Sequence, residues 1–487
     1  MRDIKQPSLR LNFLMNILLT VSGFLFPLIT FPYISRVLLP EGNGKVQMAT
    51  AFIAYFTMIS QLGIPTYGIR ACAAVREDRV ALSRTVHELI IIQAVSTVIS
   101  YVLFFLCLAW VPRLAVEREL YLITSLSVLL GSLGIEWLFK ALEQYTYITL
   151  RSLLFKLISV VAMFLLVHTQ ADYVRYAGIT VLAVAGSNIM NLTQIPKLIS
   201  LKPLGGYQFR RHIRPVLVLF AYTCATTIYT NLDSVMLGFM TTDAEVGFYS
   251  VAVKMKIILV SIVTALGAVL LPRVSYYYEQ KQYDQFWKMA VQAFRVVLLM
   301  ALPMTVYFML FAKNSIFFLS GDAYGPSVLP MIIIMPTLVF IGLTSITGIQ
   351  ILIPTKRENS ILLASVAGGV IDLILNALLI PTMGAAGAAI GTLVAEFVVL
   401  VYHCVVLRKE LRPLLKSMKL LPAILAVAAA SVAVLWVPSL ALGDFWALAI
   451  SATVFFGVYA IVLFLAKEPF TLEVTNRLKA LRNKHKN

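Results

Sequence analysis

Long apolar runs follow one another along the whole chain. Each is long enough to cross the hydrocarbon core of a bilayer as a helix, which takes about 20 mostly apolar residues. The runs lie at 12–39, 46–69, 86–110, 120–139, 148–168, 174–196, 215–240, 248–271, 289–312, 328–353, 361–381, 384–407, 421–440 and 445–466. The pattern therefore predicts about fourteen transmembrane helices.

The composition supports an all-α integral membrane protein. Of the 487 residues, 60% are hydrophobic and 13% are charged, whereas a soluble domain is nearer half apolar and a quarter charged. These values exclude a disordered chain, a collagen-like fibre and a small disulfide scaffold. Continuous runs of this length indicate helices, since barrel strands are about ten residues long and alternate in polarity.

The net charge of +17 is explained mainly by topology. With the N-terminus in the cytoplasm, 30 of the 40 lysines and arginines fall in inner segments and five in outer segments, which leaves five within spans. This bias is the one that cytoplasmic loops carry. We therefore expect a multi-pass protein with both termini cytoplasmic.

A basic segment at 197–214 contains Pro203, Gly205 and Gly206, which predicts a linker between two groups of six spans. A weak repeat supports this division, since SRVLLPEGNGKVQ after the first span resembles DSVMLGFMTTDAEVG after the seventh. Such repeats usually form two bundles around a central cavity. The predicted parts are an N-lobe at 1–200, a cytoplasmic linker at 201–214, a C-lobe at 215–408, and two extra spans with a basic cytoplasmic tail at 409–487.

The sequence lacks the common motifs of nucleotide-binding proteins and hydrolytic enzymes. It has no P-loop, no GxSxG and no HExxH, and no outer loop exceeds about fifteen residues. The four cysteines are scattered and show no CxxC spacing, so we expect neither disulfides nor a metal site. The first apolar run is too long for a cleavable signal peptide. These features argue against an enzyme with catalytic residues, and we expect no cofactor.

Ionisable side chains within spans are the candidate functional residues, because each costs about 2.5–3.5 kcal/mol to insert. The basic candidates are Arg36, Lys254, Lys256 and Arg295. Two alternatives stay open: Arg36 and Arg295 lie close enough to span ends to snorkel, and only one of Lys254 and Lys256 can face a lumen. A basic cavity would favour a phosphate or diphosphate and repel an organic cation.

The acidic candidates are Asp233, Asp372 and Glu396. They could couple transport to an ion, or they could pair with basic side chains and tie neighbouring spans together. Glu136 and Lys156 are further charges within spans. Without a nucleotide site, transport would draw on an ion gradient, the membrane potential or substrate turnover.

Three segments carry a family resemblance. FPYISRVLLPEGNGKVQMATAF at 31–52 with QLGIPTYGIRACAAVRED at 61–78, NLDSVMLGFMTTDAEVGFYSVAVKM at 231–255, and LNALLIPTMGAAGAAIGTLVAE at 375–396 occur in that order. Together they resemble bacterial polysaccharide flippases of the Wzx type, in the multidrug/oligosaccharidyl-lipid/polysaccharide exporter superfamily.

The resemblance implies two six-helix lobes that alternate between inward-open and outward-open states. It implies a polyprenyl-diphosphate-linked oligosaccharide as substrate, such as an O-antigen repeat unit, moved to the outer leaflet of the bacterial inner membrane. By position, Arg36, Lys254 or Lys256 and Arg295 would meet the diphosphate. Na⁺ or H⁺ would be the coupling ion. Membrane lipids and polysaccharide assembly proteins, such as a polymerase and a chain-length regulator, would be partners, and nucleic acid would not.

Three other functions are alternatives to a lipid-linked oligosaccharide flippase. A multidrug/cation antiporter of the same superfamily predicts an acidic cavity and twelve spans. A flippase for the peptidoglycan lipid precursor would share the fold. A membrane polymerase or ligase would need a larger outer loop than this sequence contains.

Overall fold

A computed structural model describes residues 9–417, 420–440 and 442–468. The regular structure of these residues is helical throughout, with no strand, which confirms the predicted all-α class. The predicted basic tail lies largely outside the described residues. The chain divides into two compact units, Met1–Gly247 and Phe248–Asn487, while the predicted four-part division stays a prediction.

The described residues of the first unit form ten helices and the start of an eleventh. They are α1 (Leu9–Gln61), α2 (Ile64–Ala73), α3 (Arg79–Trp110), α4 (Pro112–Val116), α5 (Arg118–Leu133), α6 (Glu136–Ala141), α7 (Tyr145–Leu166), α8 (Tyr173–Ala185), α9 (Ile189–Leu198), α10 (Arg210–Met240) and α11 (Asp243–Glu279). Helix α1 packs against α3, α5, α7 and α10. Short 3₁₀ turns precede α8 and follow it.

The second unit continues from α11. Its helices are α12 (Tyr283–Leu310), α13 (Ala312–Ser320), α14 (Val328–Ile334), α15 (Thr337–Ser345), α16 (Glu358–Val406), α17 (Arg408–Ser417), α18 (Leu421–Ala433) and α19 (Asp444–Leu465). A π-helical segment, Ile346–Leu352, follows α15. The core between α12, α18 and α19 contains Tyr307, Phe455 and Tyr459.

Among the described residues, ten helical segments are long and apolar enough to cross a membrane, or eleven if the bent pair Asp322–Ile334 and Thr337–Leu352 is one span. Two of the ten contain two predicted spans each, because α1 bends at Leu39 (φ 58°) and α16 bends at Gly384 (φ 53°). The sixth predicted span is divided between α8 and α9. The multi-pass character is confirmed, and the count of fourteen stays a prediction.

Large apolar side chains cover the outside of these helices. Val95, Val98 and Val102 of α3 are 57%, 63% and 53% exposed, and Leu165 of α7 is 68% exposed. A soluble protein rarely exposes apolar surface on this scale. These apolar surfaces are compatible with contact with the lipid chains of a bilayer.

The two repeated turns identified in the sequence pack against each other. A Cβ on Gly44 would collide with the Asp243 carbonyl and the Gly247 nitrogen, and a Cβ on Gly247 would collide with the Pro40 carbonyl. Arg113 joins the contact through Nη2 to Asp243 Oδ1 at 2.8 Å. Glycine is needed at both turns because the two backbones touch.

The segment before α10 is attached to the first unit rather than loose. The buried Glu88 of α3 accepts a hydrogen bond from the Gln208 backbone N–H at 2.6 Å and one from Arg211 Nη2 at 2.7 Å. His212 Nε2 lies 2.6 Å from the same carboxylate. The residues predicted as a linker therefore have a fixed position on α3.

Candidate functional site

The first unit encloses an open cavity of about 690 Å³ between α1, α2, α3, α5, α6, α8 and α10. Its polar lining consists mainly of hydroxyl and amide side chains. The charged side chains that reach it are Glu136 and Lys140 of α6. This cavity is the candidate functional site.

A break between α5 and α6 places these two charges. Ile135 has left-handed backbone dihedrals (φ 34°, ψ 43°), which end α5 and allow α6 to begin at Glu136. The carbonyl of Gly134, released by the break, accepts a hydrogen bond from Asn191 Nδ2 at 2.5 Å. Irregular backbone at membrane depth is tolerated where it is buried in protein or lines a cavity.

A second break faces the first. Helix α8 passes into a 3₁₀ turn, Gly186–Asn188, before α9. A Cβ on Gly134 would collide with the Asn188 side chain, so the two breaks lie against each other.

Arg151 of α7 joins both breaks. Its Nη1 donates to the Ser187 carbonyl at 3.1 Å and to Asn188 Oδ1 at 3.2 Å, and its Nη2 lies 2.9 Å from Glu136 Oε2. Lys140 Nζ lies 2.8 Å from the other oxygen of Glu136. The Arg151 side chain is 1% exposed, whereas Glu136 and Lys140 are each 35% exposed. Arg151 thus fixes Glu136 from behind while Lys140 remains accessible from the cavity.

Two predicted site residues lie in the first unit. Arg36 is exposed on α1, and its Nη1 donates to the Pro32 carbonyl at 2.7 Å. Asp233 is buried on α10, with 8% exposure. Neither is among the side chains that line the cavity, and their roles stay predictions.

The other basic candidates lie in the second unit. Lys254 and Lys256 are half-buried on α11. Arg295 on α12 has its Nε 3.6 Å from Glu468 Oε1, with 27% of the arginine side chain exposed. An ion pair therefore holds Arg295, and its role at the substrate stays a prediction.

Asp372 and Glu396 lie on the two arms of α16, on either side of the bend at Gly384. Asp372 is 1% exposed, and Glu396 is half-buried. A Cβ at Gly391 would lie 2.8 Å from Asp372 Oδ1 and would also meet Asn376 Oδ1. The two arms therefore lie close together at Gly391. The roles expected of Asp372 and Glu396, ion coupling or charge pairing, stay predictions.

Lys140 and Arg151 were missed from the sequence as site residues. Both were counted with the inner segment 140–151, because the fourth span was expected to end at residue 139 and Arg151 lies near the start of the fifth, at 148–168. Gly134, two residues before Glu136, was the available signal, since a glycine within an apolar run destabilises a continuous helix.

Comparison with known protein families identifies the family of this chain. Residues 9–278, more than half of it, match the polysaccharide biosynthesis protein family. The chain belongs to this family. The family resemblance predicted from the sequence is therefore confirmed.

Two curated relatives match the family member over most of its length. A protein of Escherichia coli (strain K12), described as "Putative O-antigen transporter", is 24% identical over 405 residues, which cover 80% of this chain and 95% of the relative. A protein of Shigella dysenteriae with the same description is 21% identical over 406 residues, which cover 80% of this chain and 98% of the relative.

Solved structures share the fold. The lipid II flippase MurJ in an inward closed conformation matches with a TM-score of 0.70 and 16% identity, over 92% of this chain and 98% of MurJ. An inward-facing multidrug resistance transporter of the MATE family matches with a TM-score of 0.63 and 13% identity, over 83% of this chain and 99% of the transporter. At these identities the likeness shows the fold alone.

Proposed function

We propose that this polysaccharide biosynthesis family member is a flippase for polyprenyl-diphosphate-linked oligosaccharide repeat units. The main observation behind this proposal is the family match. Two relatives described as "Putative O-antigen transporter", matched over 95% and 98% of their lengths, support it. The protein is a transporter rather than an enzyme. It moves the glycan from the cytoplasmic to the outer leaflet of the bacterial inner membrane by alternating access, with both termini cytoplasmic.

In this proposal the diphosphate binds basic side chains of the spans, namely Arg36, one of Lys254 and Lys256, and Arg295. An arginine can hold a phosphate through two parallel hydrogen bonds, while a lysine acts as a point charge. The half-buried position of both lysines supports this role, because a charged side chain within a span is costly and by default marks a functional site. The lipid tail stays in the bilayer.

Ion coupling is the proposed driving force, because moving one charge across 100 mV requires about 2.3 kcal/mol. Asp233, Asp372 and Glu396 are the proposed coupling groups, with Na⁺ or H⁺ as the ion. Asp233 and Asp372 are both buried within spans, and an ionisable residue in that position is by default a candidate functional group. A polymerase and a chain-length regulator are the proposed protein partners.

The test is leaflet exchange in proteoliposomes that contain the purified full chain and a fluorescent lipid-linked oligosaccharide. We expect exchange that depends on the protein and responds to an imposed Na⁺ or H⁺ gradient. Lipid II and a lipophilic organic cation serve as comparison substrates. Preferential transport of either one, or no exchange at all, would contradict the proposed function.

Variants in the same vesicles test the basic residues. Arg36→Ala and the Lys254→Ala/Lys256→Ala double variant should each slow exchange about tenfold, the loss expected of one charge-assisted hydrogen bond. Arg118→Ala, which removes an exposed arginine at the start of α5, is the matched control. An undiminished rate in both test variants would refute the site assignment while leaving the flippase function intact.

A further inference from the structure

The cavity of the first unit is almost neutral. Glu136 and Lys140, the charged side chains in its lining, pair with each other at 2.8 Å. The rest of the polar lining consists of threonine and serine hydroxyls and of glutamine and asparagine amides. Its chemistry therefore differs from that of the basic residues proposed to meet the diphosphate.

Most of the hydroxyl protons of this lining already have partners. Six lining hydroxyls each donate to a main-chain carbonyl of their own helix at 2.7–3.1 Å. They belong to Thr50, Thr57, Thr124, Ser127, Thr180 and Thr223. A hydroxyl has one proton and two lone pairs, so these six groups face the cavity mainly as acceptors.

A ligand rich in hydroxyl donors fits this lining better than an anion does. A phosphate needs donors, whereas here it would meet acceptor lone pairs and the Glu136 carboxylate that already holds Lys140. A sugar hydroxyl can donate to each threonine oxygen. The Gln61 side chain, which makes no hydrogen bond to another described residue, has an amide N–H₂ that can donate to a sugar oxygen.

We infer that this cavity is the subsite for the neutral glycan portion of the lipid-linked substrate, and that the diphosphate binds outside it. The inference rests on the proposed flippase function. The cavity volume of about 690 Å³ lies within the range of about 300–1,000 Å³ that encloses drug-sized ligands. It has room for a short oligosaccharide.

The test measures binding of two defined lipids to the purified full chain in detergent. One is a synthetic polyprenyl diphosphate that carries a neutral disaccharide, and the other is the same polyprenyl diphosphate without sugar. The test variant is Thr57→Val/Thr124→Val/Thr180→Val, which keeps the side-chain shape and removes three hydroxyls. Thr20→Val/Thr30→Val/Thr453→Val is the matched control, because these hydroxyls make the same bond to their own helix away from the cavity.

We expect the test variant to bind the disaccharide lipid about tenfold more weakly, as the loss of modest hydrogen bonds predicts. Its affinity for the sugar-free lipid should stay within about twofold of the wild type. The control variant should bind both lipids as the wild type does. A Thr→Ser triple variant at the same three positions, which restores the hydroxyls, should recover the disaccharide affinity.

Equal weakening for both lipids, no weakening for either, or failure of the serine variant to recover would each overturn the inference. If one of these results is obtained and the wild type still flips the lipid-linked oligosaccharide, the glycan subsite is refuted and the flippase function is not. If the wild type neither binds nor flips these lipids, the proposed function fails with it.

Discussion

Asp172 shows how one side chain secures a junction between two helices. It lies between α7 and α8, where its Oδ2 accepts from the backbone N–H of His168 at 3.1 Å and from the backbone N–H of Thr169 at 2.9 Å. The Thr169 hydroxyl adds a third bond at 2.9 Å, and Arg175 lies 2.6 Å from Oδ1. The His168 N–H, followed by the two Thr169 donors, holds the pKa of the Asp172 carboxyl below its usual value.

This lowered pKa predicts a pH-dependent contribution to stability. Because the folded pKa lies below the unfolded value of about 3.9, the carboxylate stabilises the fold above that pH and loses its effect as the pH falls through the folded value. Asp172→Asn should therefore unfold more readily than the wild type at pH 7 and at pH 5, with the difference closing below about pH 4. Thermal unfolding in detergent measures this, with Glu279→Gln at the end of α11 as the control. A difference independent of pH would contradict the prediction.

Helix α6 is the element that shapes the cavity, although it has only six residues. It exists as a separate element because Ile135 breaks the span. Arg151 holds α6 in place against the second break by hydrogen bonding to Glu136, Ser187 and Asn188. Neither break could be held by apolar packing alone, since each releases main-chain groups that need partners. The cavity therefore depends on one arginine from a third helix.

Arg151→Met should lower the free energy of unfolding by about 3 kcal/mol, because it removes the buried partner of an ion pair. Denaturation in mixed detergent micelles measures the change. The control is Arg76→Met, which breaks the Arg76–Glu143 pair on the surface and should change the free energy by less than about 1 kcal/mol. Equal effects of the two variants would show that Arg151 does not hold the breaks together.

At the scale of the whole molecule, the charge distribution predicts how the chain is oriented in the membrane. Thirty of its 40 basic residues fall on one side of the predicted topology, and such a bias sets the orientation of membrane proteins. The apolar surfaces of α3 and α7 are compatible with lipid, but they carry no information about which side faces the cytoplasm.

Reporter fusions test the predicted orientation. A fluorescent protein fused at either terminus should fold and fluoresce, as it does in the cytoplasm, and alkaline phosphatase fused there should be inactive. Phosphatase inserted at Glu117, between α4 and α5, should be active, which makes it the internal control. Active phosphatase at only one terminus would mean an odd number of crossings.

The sequence by itself determined the class, the family and the approximate position of most helices. These follow from properties that are local along the chain: runs of apolar residues, clusters of lysine and arginine, and signatures such as the segment at 375–396. The bend at Gly384 was also foreseeable, because Pro381 and a glycine interrupt the apolar run there.

The tertiary structure decided which charges work together. Glu136, Lys140 and Arg151 form one cluster only because two broken helices and α7 meet. Arg295 carries an ion pair with Glu468, 173 positions away in the chain, which no local pattern reveals. Spacing indicates which residues share a helix face, whereas the partner of a charge depends on how separate helices pack. The candidate site was therefore the part of this protein that its sequence could not locate.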